Sequence, residues 1–143
     1  RSRWPQYNRD NLKKGLDAAG MEYRFFGAVL GGRGPSQDMR YQDVAGTAGF
    51  EKAMTAVIAI AEQSRAVLMC SEHEPLQCHR CLPLGRNLAE RNHNIIHILR
   101  DGQMERHTET EKRLLQKFAD RDLLPIEYLG SAYLLQEHAI KKA

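Results

Sequence analysis

Apolar residues recur at helical spacing in several stretches of the chain. The clearest case runs from Thr47 or Gly49 to about Ser64, where Phe50, Met54 and Val57 fall on one face. Asn8 and Gly20 are suitable end residues for an earlier helix. The helices predicted in this way cover residues 9–19, 47–64, about 78–92, 109–119 and 132–142.

Shorter apolar runs that are rich in β-branched residues predict strands near residues 22–30, 65–70 and 94–99. Strands that alternate with helices are typical of an α/β sheet. A crossover helix between the second and third runs makes that pair parallel and right-handed. We therefore expect a single three-layer, Rossmann-like α/β domain over residues 1–143 with a mostly parallel central sheet. Residues 1–9 are expected to form an N-terminal arm and residues 120–143 a C-terminal extension.

Composition and charge narrow the function classes. The 143 residues are 42% hydrophobic and 27% charged, with a net charge of +3 and a pI near 8.9. This balance is typical of a globular protein and less basic than that of most nucleic-acid readers. No apolar run approaches the roughly 18 residues of a membrane span. Three cysteines without a recognisable leader indicate reduced thiols and a cytoplasmic location, and no cofactor is indicated.

The reactive residue types concentrate in the loop between the predicted strand 65–70 and the helix that follows. They are Cys70, Glu72, His73, Cys78, His79, Arg80 and Cys81. In an open α/β sheet, ligands usually bind beyond the carboxyl end of a strand. Pro83 fits this helix only in its first turn, so the helix begins close to Cys78 or His79.

A helix that begins here would direct unpaired N–H groups and positive charge at the loop. We expect this field to lower the pKa of the Cys78 thiol and to make it the most reactive cysteine. The roles we assign are nucleophile for Cys78, acid or base for Glu72 or His79, and anion binding for Arg80. His97 joins the ligand-binding residues because it lies on the next predicted strand and is expected to reach the same sheet edge.

Gly31, Gly32 and Arg33 offer a second place for an anion. Two glycines let a backbone approach a phosphate closely, and the arginine adds charge. The segment lacks the spacing of a dinucleotide-binding fingerprint, so a plain turn is the competing interpretation.

Two other interpretations of the cysteine loop stay open. Cys70, His73, Cys78 and Cys81 resemble zinc-ligand spacing, but Cys78 and Cys81 on a helix are unlike a zinc knuckle, so we expect no metal site. Alternatively, Cys70 and Cys81 are small buried hydrophobic residues and the loop is purely structural.

A different class of function is suggested by the N-terminal arm, where aromatic and basic residues alternate: Arg1, Arg3, Trp4, Tyr7, Arg9, Lys13 and Lys14. Such an arm could stack on bases and pair with phosphates. The alternative to a pocket for a small phosphate- or nucleotide-type anion is therefore a nucleic-acid-binding or scaffold domain without catalysis.

Three segments together resemble domain-of-unknown-function family 488 (DUF488). They are Leu68–Glu72, Cys78-His79-Arg80 and His97-Ile98-Leu99, and the resemblance extends over about residues 1–118. It implies a Rossmann-like fold and no particular reaction. Cys81 departs from the pattern, which usually has a small or polar residue there. The family pattern also begins with a strand, a helix and a second strand that this sequence lacks. The absence would uncover a sheet edge and favour a homodimer.

Overall fold

The computed structural model describes residues 4–31, 39–119 and 128–142. These residues form helices and one small sheet. The α-helices are α1 (Arg9–Ala18), α2 (Gly27–Leu30), α3 (Tyr41–Ala45), α4 (Ala48–Gln63), α5 (Arg86–Glu90), α6 (His107–Lys117) and α7 (Tyr128–Lys141). The strands are β1 (Ile96–Ile98) and β2 (Met104–Arg106), and 3-10 turns cover Pro5–Tyr7 and Pro75–Gln77. A π-helix, Arg80–Gly85, leads directly into α5. None of the helices in these ranges is long and apolar enough to cross a membrane.

The helices predicted from periodicity are confirmed. Helix α4 begins after Thr47, whose Oγ1 accepts a hydrogen bond from the Phe50 N–H at 3.3 Å. Phe50 and Met54 on its apolar face are fully buried. Helix α1 ends before Gly20, which takes the left-handed conformation (φ 71°) that glycine adopts without strain.

The predicted three-layer Rossmann-like fold with a mostly parallel sheet is wrong. The described residues contain only a two-stranded antiparallel sheet. Residues 22–30 form no strand, and their last four residues are α2. Residues 65–70 have no regular secondary structure and no strand beside them in the described part of the chain, and Val67 is 73% exposed. An apolar run becomes a buried strand only where neighbouring strands supply hydrogen bonds, and the described residues supply none to this run.

The third predicted strand, 94–99, is present as β1, but its partner was not predicted. β1 pairs with β2 across a turn that contains Gly102 (φ 83°), so His97 lies opposite Glu105. The two strands are antiparallel because a parallel pair would need a crossover connection much longer than this turn. This hairpin places the residues just before α6 beside β1.

Two hydrophobic clusters lie on either side of the continuous helix 80–90. Leu84 and Leu88 contact the first cluster, together with Leu30, Phe50, Ala53, Met54 and Val57. Cys81 and Leu82 contact the second, together with Leu76, Leu114, Phe118, Ala132 and Tyr133.

The first turns of this helix are widened because Pro83 has no N–H to donate. The Leu84 N–H instead approaches the His79 carbonyl at 3.4 Å, five residues back. π-Helical turns of this kind are frequent at functional sites.

Candidate functional site

The loop before the π-helix is held from both sides by charged and amide side chains. The Glu74 carboxylate accepts the Leu76 N–H at 3.1 Å and lies 2.9 Å from Arg113 Nη2 on α6. From α7, the buried Gln136 Nε2 donates to the Leu76 carbonyl at 2.6 Å. These contacts fix the turn Pro75–Gln77, and that turn places Cys78 at the helix entrance.

Cys70, Cys78 and His79 converge at this entrance. Their ligand atoms, Sγ of each cysteine and a ring nitrogen of the histidine, all lie within 4.8 Å of one another. Cys70 Sγ is 3.7 Å from His79 Nδ1, and the Arg80 N–H donates to Cys78 Sγ at 3.3 Å. Cys78 is fully buried, whereas Cys70 is half-buried. Cys70 is therefore the more accessible of the two cysteines.

The two thiols have opposite acidities. The neighbouring Cys78 thiol lowers the pKa of Cys70 far below that of a free thiol, and His79 and the Glu72 N–H add to the effect. The pKa of Cys78 is raised by the nearby Cys70 and by burial. The prediction that Cys78 carries the lowered pKa is thus wrong, because burial and a neighbouring thiolate outweigh the field of the helix entrance. The pKa of Cys81 is raised to about 12 by burial, as its apolar surroundings dictate.

Arg80 lies over the loop without a complete set of partners. Its Nη2 donates to the Glu72 backbone carbonyl at 3.2 Å, while its buried Nε has no hydrogen-bond partner. The Glu72 side chain is exposed, and Ser71 Oγ approaches its carboxylate at 3.3 Å. Since Arg80 contacts the backbone of Glu72 and not its carboxylate, the guanidinium charge is not neutralised by that residue.

His97 belongs to a second, separate group of residues. Its Nε2 is 2.8 Å from His107 Nδ1, and Cys81 completes a buried set whose ligand atoms lie within 4.8 Å of one another. The Tyr133 hydroxyl is 3.1 Å from His107 Nε2 and donates to Glu111 at 2.9 Å. The pKa of His97 is lowered to about 4, first by burial and then by the charges of His107 and Arg80.

Of the glycine-rich segment, only Gly31 lies within the described residues. A Cβ on Gly31 would lie 2.2 Å from the Gly27 carbonyl oxygen, so the chain needs glycine there to leave α2. Gly32 and Arg33 lie outside the described residues, and their phosphate-binding role stays a prediction.

Sequence reasoning missed the second group because its members come from separate elements. The signal that could have revealed part of this group is the pairing of the two strands in the hairpin. His97 and His107 lie two residues apart diagonally across a hairpin centred on Asp101 and Gly102, and therefore on the same face. Tyr133 and Glu111 approach from helices whose packing the sequence pattern does not specify.

Together these features define a helical protein with a thiol–imidazole cluster at the entrance of a π-distorted helix. Residues 1–83 match the family described as domain of unknown function DUF488, and the chain belongs to that family. The match includes the cysteine loop and Arg80, whereas His97 and His107 lie beyond it. Comparisons with curated proteins and with solved structures find no significant match.

Proposed function

We propose that the chain carries out thiolate chemistry on a small anionic substrate, with Cys70 as the nucleophile. The observation that carries the proposal is the convergence of Cys70, Cys78 and His79 beside a guanidinium whose Nε has no partner. Reactive cysteines are partly accessible and lie in electropositive surroundings, and Cys70 meets both conditions.

The assigned roles follow from the contacts. The buried Cys78 thiol, whose Sγ lies within 4.8 Å of Cys70 Sγ, keeps the Cys70 thiolate ionised. Arg80 and the loop N–H groups hold the negative charge of a phosphate- or nucleotide-type substrate. His79, whose ring nitrogen is 3.7 Å from Cys70 Sγ, acts as acid or base, with Glu72 at the exposed side of the loop.

The reaction class is nucleophilic substitution through a covalent intermediate. The Cys70 sulfur forms a bond to the electrophilic atom, and the bond from that atom to the leaving group breaks. The leaving group departs with the electron pair and takes a proton from His79. Water, losing its proton to His79, then attacks the intermediate and releases the thiolate.

Inorganic phosphate provides the test, because an anion bound at Arg80 should shield Cys70. We expect phosphate to slow alkylation of Cys70 by iodoacetamide severalfold relative to chloride at equal ionic strength, measured by mass spectrometry. Arg80→Gln should abolish this protection. Arg91→Gln, which removes an arginine paired with Glu51 on the surface, should leave it unchanged. Equal rates in phosphate and chloride for the unmodified chain would contradict the proposal.

The wider expectations stay predictions. Trp4 and Tyr7 of the N-terminal arm are exposed, but nucleic-acid contact has no support beyond that. The homodimer was expected from an uncovered sheet edge, and the exposed apolar side chains of Val67, Met69 and Met104 support it on a different ground. The cytoplasmic location rests only on the cysteine content.

A further inference from the structure

We propose that Cys81, His97 and His107 bind one divalent metal ion of the zinc type. This set differs from the cysteine-loop set for which no metal is expected, since two of its three members lie outside that loop. The ligand atoms lie within 4.8 Å of one another, and all three residues are buried. One thiolate and two imidazoles suit zinc or cobalt better than magnesium or calcium.

The spacing of the two histidines is close to that of a bound pair. His97 Nε2 and His107 Nδ1 are 2.8 Å apart. Nitrogens bonded to one tetrahedral zinc at about 2.0 Å lie about 3.3 Å apart, so the rings need to separate by only about half an ångström. At 2.8 Å one proton lies between the nitrogens, and the metal would take its place.

The hydrogen bonds behind His107 leave the correct nitrogen free. Tyr133 donates its hydroxyl proton to Glu111, so its oxygen accepts the His107 Nε2–H. This places the lone pair on Nδ1, the atom that faces His97. A hydrogen-bonded carboxylate behind a histidine is the usual support of a zinc ligand, here relayed through a tyrosine.

Three separate elements hold the ligands in place. Cys81 lies on the π-helix, His97 on β1 and His107 at the first residue of α6. Gly85 makes room for the His107 ring, since a Cβ there would lie 3.0 Å from its Cε1. A cavity of about 280 Å³ lies against one member of the set, His107, and against Glu111 behind it.

A titration with Co²⁺ under reducing conditions tests the site. We expect one equivalent to bind per chain, with the charge-transfer absorption of a cobalt–thiolate bond, and Zn²⁺ to displace it. Cys81→Ser should remove that absorption, because Cys81 supplies the thiolate ligand. Cys70→Ser should keep it, because Cys70 belongs to the other group, with Cys78 and His79. His97→Gln provides a second loss-of-binding variant should Cys81→Ser fail to fold, as judged by circular dichroism.

Tyr133→Phe separates positioning from ligation. It should retain the cobalt spectrum but weaken metal affinity by about tenfold, because the His107 ring loses its partner. The absence of stoichiometric binding to the unmodified chain would overturn the proposal. So would an absorption that Cys70→Ser removes and Cys81→Ser retains, since the metal would then occupy the other group.

Discussion

At the scale of the residue, two cysteines eight positions apart play opposite parts. Cys70 is half-buried and has a lowered pKa, whereas Cys78 beside it is fully buried and has a raised pKa. The sequence located both thiols in one polar loop, but it could not assign their acidities. That assignment depends on which sulfur is buried and which groups lie beside it, and these are properties of the folded loop.

Removing the Cys78 thiol should therefore make Cys70 a weaker acid. Cys78→Ala should raise the pKa of Cys70 by about one to two pH units, because a hydrogen bond from Cys78 to a Cys70 thiolate would contribute about 1.5 to 3 kcal/mol. The pH dependence of Cys70 alkylation measures the shift. Cys81→Ala truncates an equally buried cysteine and should leave the pH dependence of Cys70 alkylation unchanged. A similar shift in both variants would argue against a direct hydrogen bond between Cys78 and Cys70.

At the scale of the element, helices were predictable and sheet pairing was not. Helical periodicity and end residues such as Thr47 act within a few positions, so α4 could be predicted from its own segment. The run 65–70 has the composition of a strand, yet the described chain offers it no partner. Strand formation depends on distant segments, and composition alone does not reveal whether they are in reach.

Helix α7 should stabilise the cysteine loop through one buried amide. Gln136→Leu would leave the Leu76 carbonyl without its donor and Lys117 without its acceptor, with a loss of about 1 to 3 kcal/mol in the free energy of unfolding. Urea denaturation measures this loss. Gln116→Leu, an exposed position on α6, is the matched control and should change stability by less than about 0.5 kcal/mol. Equal effects at both positions would contradict the role given to Gln136.

At the scale of the whole molecule, the continuous helix 80–90 joins two hydrophobic clusters and brings both polar groups near its first turns. The local part of the candidate site, Cys70 to Arg80, was visible in the sequence because its members are close along the chain. The group around His97 was not, since its members come from the π-helix, the hairpin and α6, and the Tyr133 hydroxyl that contacts His107 comes from α7.

The central claim is that Cys70 is a thiolate at neutral pH, and alkylation of the intact protein across pH tests it most directly. Labelled peptides should show Cys70 reacting first, at a rate nearly constant from about pH 5 to about pH 8, because a thiol with a strongly lowered pKa is already ionised there. Cys78 and Cys81 should react only after unfolding. A Cys70 rate that rises about tenfold per pH unit up to about 8.5, as for a free thiol, or labelling of Cys78 first, would contradict the account.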